Sequence, residues 1–452
     1  NCRIRISDAN NPNRKVVSSK FKIVLTPVTA ALTIVSDWHD HDYDGYATGI
    51  ADGSGSYFLN GITKYEWFVD GVLAYTGAIA HITLKTGTYQ LKLVVSTSIA
   101  SFQDSMTVPI SVFAARKMLG GITRGAIAQS GNMLYITSTT RNVYAIDTLG
   151  NIQHTFVTGW YIIPGTSITH EGKILAASED SKIYSLTPQL QQHWNKELNG
   201  KIHATPIEST DGQNLYVISI YGTVYALNAK SGKLRWGFQC KGEVNSSPIL
   251  LELQNGDKHL VFGRKGTATN PASLIALKDC GDSAQVVWEV MADGGVTSSP
   301  AFYRNNDSSM IYFVTEKGIL YRVRWDGYRD TTWQVYAGDL VLNTSPVIDQ
   351  DGYIYIGNRQ GKLLAYEPNF TTMSSSIDSL TLSMGIASTP SIGRNGMMYV
   401  STSGGGIHSI NLRQKPLMVS WTFDAGSSVT APVLVTVSGL IAAASNDGYL
   451  YY

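Results

Sequence analysis

The chain has 452 residues, 35 basic and 34 acidic, of which 43% are hydrophobic and only 15% charged. That composition fills a core and excludes a disordered chain, and its near-neutrality supplies no global field for nucleic acid or anionic lipid. No run approaches the ~18 apolar residues needed to cross a bilayer, and Cys2, Cys240 and Cys280 make neither a disulfide framework nor a metal-ligand spacing. Cys240 and Cys280 are read either as a pair or as two free thiols.

Amphipathic helical periodicity is almost absent, and short alternating runs bounded by Gly, Asn, Asp and Ser recur throughout, so the chain is expected to be all-β. Residues 1–25 hold two strand-like runs, Cys2–Asp8 and Phe21–Leu25, expected to be the last strands of a preceding immunoglobulin-like module in a longer polypeptide. Residues 26–112 are expected to form a small β-sandwich, with strands over Leu32–Trp38, Ala47–Ala51, Thr63–Val69, His81–Leu84, Thr88–Ser96 and Thr107–Val112. Trp67 falls on an inner strand, with a turn at Asp70-Gly71 behind it. Asp52-Gly53-Ser54-Gly55-Ser56, Tyr65-Glu66-Trp67 and Gly87-Thr88-Tyr89 resemble the polycystic-kidney-disease (PKD) type of immunoglobulin-like domain. The resemblance implies a spacer or adhesive module.

Within that region Asp40, Asp42, Asp44 and Gly45 form D-x-D-x-D-G, in which alternate carboxylates converge on a hard cation and Gly allows the sharp turn. The twelfth position of an EF-hand loop would be Glu but is Ala51, with Asp52 beside it as a substitute. Asp40, Asp42, Asp44 and Asp52 are therefore the candidate Ca²⁺ ligands, against the alternative of a solvated acidic turn. His39 and His41 flank the same acids without a third histidine nearby to complete a transition-metal site.

From about residue 113 one unit repeats: a small residue, Ser or Thr, then Pro and an apolar residue, a Gly turn, a strand, and Gly-x-Leu-Tyr-Ala. Its landmark falls at Gly125, Thr166, Pro206, Pro248, Pro300, Pro346, Pro390 and Pro432, eight units spaced 40 to 52 residues apart. Each is long enough for a four-stranded antiparallel sheet. A Trp or Phe stands ten to thirteen residues before the next landmark at Phe156, Trp194, Trp236, Trp288, Trp333 and Trp421, so the variable length lies within each unit. The last unit ends one strand short, and Val112–Met118 is expected to supply that strand and close the ring, abolishing the open edges.

The run Ala226-Leu227-Asn228-Ala229-Lys230-Ser231-Gly232-Lys233-Leu234-Arg235-Trp236 resembles the blade motif of the pyrroloquinoline-quinone (PQQ) type of β-propeller. The expected architecture is thus an eight-bladed β-propeller over 113–452 behind the PKD/Ig-like sandwich. The resemblance admits quinone-dependent dehydrogenases, outer-membrane assembly scaffolds and non-catalytic surface proteins. An enzyme of the first kind implies an adjacent Cys-Cys pair and a Ca²⁺ held beside a catalytic Asp; no two cysteines here are neighbours. A non-enzymatic protein without PQQ is expected.

Most aromatics fall at repeat positions and are expected in the core. Trp160, Tyr161, Tyr221, Trp325, Tyr328 and Tyr336 do not, and Trp325, Tyr328 and Tyr336 are the candidate partner-binding residues, next to the long fourth unit with its extra segment Arg264–Gln285. The expected function is a secreted or cell-surface structural or adhesion protein, its propeller binding a protein, a carbohydrate or another copy. The alternative is a periplasmic scaffold of outer-membrane assembly.

Overall fold

The computed structural model describes residues 5–7, 15–17, 28–36, 38–39, 46–58, 61–85, 87–98, 103–113, 116–121, 124–148, 150–304, 309–339, 344–367, 377–436 and 439–452. The described residues form strands and turns without an α-helix, in two compact units that divide after Val112.

In the first unit a five-stranded and a three-stranded sheet enclose one core. The larger joins Trp38–His39, Gln103–Phe113, Gly87–Ser96, Lys64–Val69 and Val72–Thr76; the smaller joins Thr33–Ser36, Tyr46–Asp52 and Ile79–Lys85. Trp67, Leu91, Leu93 and Val95 from one sheet meet Ala47, Ala51, Ala80 and Ile82 from the other. Both tryptophans satisfy their indole N–H while buried: Trp38 donates to the Ile82 carbonyl at 2.7 Å and Trp67 to the Gly77 carbonyl at 2.8 Å. Val72–Thr76, an edge strand, is absent from the sequence reading. It follows the Asp70-Gly71 turn as expected, but Val72, Leu73 and Ala74 are exposed, so it carries no inward-outward alternation to reveal it. Near the N-terminus Arg5–Ser7 pairs with Lys15–Val17. Phe21–Leu25 lies outside the described residues.

Residues 113–452 build eight four-stranded antiparallel sheets. The third is representative: Ile207–Glu208, Asn214–Ile218, Thr223–Asn228 and Leu234–Gln239 pair in sequence order. The two middle strands of each blade are buried over most of their length, because blades stack face to face and leave them little wet surface. Eight apolar clusters follow, each shared by two consecutive blades. One of them packs Leu134, Ile136 and Ile146 of the first blade against Ala442, Ala444 and Leu450 of the last, so the ring closes through its core.

Closure is also made by backbone. Arg116–Met118 pairs antiparallel with Tyr449–Tyr451 and completes the eighth blade, as the missing outer strand requires. The donated strand is shorter than expected, because Val112 stays in register opposite Gly87 in the first unit's hairpin. The sixth blade, which lacks the repeat Trp, still forms its outer strand over Asp378–Thr381.

Candidate functional site

The residue before each landmark is Arg124, Gly165, Thr205, Ser247, Ser299, Ser345, Thr389 and Ala431. From the third to the seventh blade this column is a hydrogen-bonded belt. The Thr205 N–H donates to Ser247 Oγ at 2.9 Å, Ser247 N–H to Ser299 Oγ at 3.0 Å, Ser299 N–H to Ser345 Oγ at 2.9 Å and Ser345 N–H to Thr389 Oγ1 at 3.0 Å. These bonds span 42, 52, 46 and 44 residues, the repeat lengths themselves. Between the first and second blades the column changes character: a Cβ on Gly125 would fall inside the backbone of Pro164 and Gly165, so glycine permits backbone to meet backbone there. The belt surrounds a cavity of about 510 Å³ touched by residues of all eight blades, among them Arg124, His203, Asn245, Thr297, Ser388 and Thr430.

The end of the ring around this cavity is set by a second recurring bond. In the second to eighth blades the turn between the two middle strands donates an N–H to the strand crossing over from the preceding blade, as Glu179 to Tyr161, Ile220 to Lys201, Lys265 to Glu243 and Glu316 to Gly295. Neighbouring turns and crossovers are thereby stitched into a rim. On it Glu179 accepts from Lys201 Nζ at 3.1 Å and faces His203 Nε2 at 2.8 Å. Burial works to raise the Glu179 carboxyl, but the hydrogen bonds from Lys201 and His203 outweigh it and hold it below the usual range. The other His203 nitrogen faces Asn245 Oδ1 at 3.1 Å, and Asn245 uses its amide N–H on Glu243 at 2.7 Å. Further round, Lys265 pairs with Glu316 at 3.3 Å and Lys317 with Asp293 at 2.5 Å.

Aromatic side chains flank this charged sector. Trp160 and Tyr161 are 47% and 44% exposed, with ring centroids 4.9 Å apart. Their backbone is held from below, since Thr158 Oγ1 donates to the Trp160 carbonyl at 2.6 Å and Ser178 Oγ to both carbonyls at 3.2 Å. Tyr221, 61% exposed, lies over Gly200, where any side chain would collide with its ring. The division made on sequence between repeat and off-pattern aromatics is reproduced as burial. Tyr135, Tyr144, Tyr184, Tyr216, Tyr225, Tyr312, Tyr321, Tyr355 and Tyr399 are buried, and all six off-pattern residues are exposed.

Trp325, Tyr328 and Tyr336 are not brought together. Trp325 and Tyr328 sit on the turn between the third and fourth strands of the fifth blade, at the end opposite the rim, where Arg324 lies 5.3 Å from the Tyr328 ring. Tyr336 ends the fourth strand opposite Ile319, on the rim side, and donates to Asp339 at 3.1 Å. The loop 265–272 of the long fourth blade also reaches the rim, anchored by buried Arg264, which donates to the carbonyls of Cys240 at 2.8 Å and Pro271 at 2.9 Å and pairs with Glu289. Cys240 and Cys280 are free thiols, the first buried and the second exposed. Asp40, Asp42 and Asp44 lie outside the described residues. Asp52 accepts the Ser54 N–H at 2.7 Å in a local turn.

A family profile described as outer membrane protein assembly factor BamB matches residues 179–451. The chain belongs to that family. The BamB protein of Yersinia pestis is 22% identical over 281 residues, covering 54% of this chain and 70% of the relative. The crystal structure of BamB from Moraxella catarrhalis superimposes with a TM-score of 0.59 at 16% identity, covering 75% of this chain and 96% of that one. That likeness shows the fold. The human beta-alanine-activating enzyme is 34% identical over 87 residues, but the chain spans only 8% of its length and 18% of this chain is matched. What sequence reasoning missed in this BamB-family ring is His203, which stands outside every motif singled out from the sequence. It shares with Asn245 the place three residues before the landmark, and alignment of the repeats in columns would have put the two side by side.

Proposed function

We propose that this chain is a non-enzymatic scaffold of outer-membrane protein assembly, acting at the periplasmic face of that membrane, whose propeller docks a protein partner through the rim at the second and third blades. The observation that carries the reading is the grouping of exposed Trp160, Tyr161 and Tyr221 around the Lys201–Glu179–His203 network. Large aromatics beside directional charge are what protein interfaces concentrate, and a rigid ring presents them without an ordering cost. The family match favours this over cell-surface adhesion. In this reading the first unit serves as a PKD-type spacer, with Ca²⁺ held by Asp40, Asp42 and Asp44.

The donor set does not suit a quinone with its cation. The described residues lining the cavity carry no carboxylate, and Cys240 turns its thiol to the Gly222 carbonyl at 2.8 Å. Addition of PQQ and Ca²⁺ is expected to give no dye-linked turnover of alcohols or sugars.

The docking reading is tested by placing a photo-crosslinking residue at position 160 or at position 328 in the full chain within its native cell envelope. Adducts at 160 with an identified component of outer-membrane assembly are expected, lost in Lys201→Glu. Adducts with such a component at 328 and none at 160 would move the interface to the opposite end and defeat the proposal.

A further inference from the structure

The cavity on the ring axis has a chemistry that the docking rim does not use. We propose that it is a binding site for a small oxyanion, a ligand presenting a phosphate or carboxylate group. Ser247, Ser299 and Ser345 each accept a backbone N–H from the preceding blade through the hydroxyl oxygen. An Oγ engaged as acceptor keeps its one proton to give, so the belt holds three donors beside the cavity that blade stitching does not consume. Thr297 also lines the cavity; it is 8% exposed, and its hydroxyl makes no hydrogen bond to a described residue. That hydroxyl is a further donor for whatever occupies the cavity, a space of ligand size.

Charge then selects the ligand. Arg124 stands in the same column at the first blade, lines the cavity, and forms no ion pair with a described residue. His203 has acceptors on both ring nitrogens, Glu179 Oε1 and Asn245 Oδ1, and Asn245 cannot turn its amide around without losing the bond to Glu243. Glu179 is engaged by Lys201 and His203, and the exposed Arg124 guanidinium meets no acid in the cavity lining among the described residues. A guanidinium and hydroxyl donors on the wall of one cavity match the acceptor-only surface of an oxyanion better than they match a neutral sugar.

Calorimetric titration of the full chain with inorganic phosphate, and separately with citrate, tests the site. One saturable site is expected for at least one probe, and which probe binds separates phosphate from carboxylate recognition. Arg124→Gln is expected to weaken binding at least tenfold and Thr297→Val several-fold, while Arg413→Gln, on an exposed turn at the opposite end, leaves it unchanged. Absence of saturable binding by either probe, or binding indifferent to both Arg124→Gln and Thr297→Val, overturns the proposal. Should Arg124→Gln fail to fold, crystals of the parent chain soaked in selenate decide: an anomalous peak inside the cavity supports the site, and peaks only elsewhere refute it.

Discussion

Ser299→Ala isolates one link of the belt. The substitution removes the acceptor of the Ser247 N–H while the Ser299 N–H keeps its own bond to Ser345. Ser247 lies in a partly buried strand entry beside fully buried Ser246, so its freed N–H gains little from solvent. Stranding a donor of this kind costs about 1–3 kcal/mol. Spread over the unfolding entropy of a ring of about 340 residues, that is roughly 1–4 °C in melting temperature. A shift so small is read more sharply by hydrogen exchange, where the Ser247 amide should exchange about 5- to 100-fold faster while amides two blades away hold their protection. Ser299→Thr serves as the control, because Thr205 and Thr389 occupy the same column in other blades. Its Oγ1 restores the acceptor. If Ser299→Ala leaves both the melting temperature and Ser247 exchange unaltered, or if Ser299→Thr is equally damaging, the belt does not bind blade to blade.

Gly125→Ala forces a Cβ into the backbone at Pro164 and Gly165, so it should destabilise the ring by several kcal/mol and lower soluble yield, whereas Gly131→Ala, with no atom near its Cβ site, should cost about 1 kcal/mol through its positive φ alone. Buried His408, its Nδ1 on Thr422 at 2.9 Å, has its pKa lowered by burial, as does His259. The unfolded chain therefore takes up these protons first, and stability present above about pH 6.5 is lost as the pH falls through that value; melting curves from pH 7.5 to 5.5 should flatten in the variants His408→Gln and His259→Gln. Burial pushes the Cys240 thiol up to about 11, so a maleimide should label Cys280 in the native protein and reach Cys240 only on unfolding. If Asp40, Asp42 and Asp44 hold Ca²⁺, calorimetry with and without chelator should lower the first unit's transition by about 3 kcal/mol at a hundredfold excess over Kd and leave the ring's transition in place.

The ring was legible because a closed repeat converts sequence columns into spatial neighbours. Residues 42 to 52 apart in the chain, Thr205, Ser247, Ser299 and Ser345, become hydrogen-bonded neighbours on the axis only because each occupies the same place in its blade. The same logic makes aromatics at repeat positions core and those off the pattern surface. It fails for the candidate surface Trp325, Tyr328 and Tyr336, since nearness in sequence says nothing about which end of a blade a residue occupies. Position within the four-strand meander does: the second turn and the crossover share one end, and the third turn lies at the other, about 25 Å along an eight-residue strand. In the first unit no repeat exists to supply columns, and the edge strand Val72–Thr76 went unseen because its exposed side chains show no alternation. The exceptions within a column are then the informative residues. Gly125 and Gly165 mark a seam where backbones touch, and Arg124 sets a guanidinium where five other blades set a hydroxyl. An exposed guanidinium at that place has no hydroxyl oxygen to accept a neighbouring blade's N–H, so the belt lacks a link there, and a ligand that answers the charge is the use that the proposed site gives it.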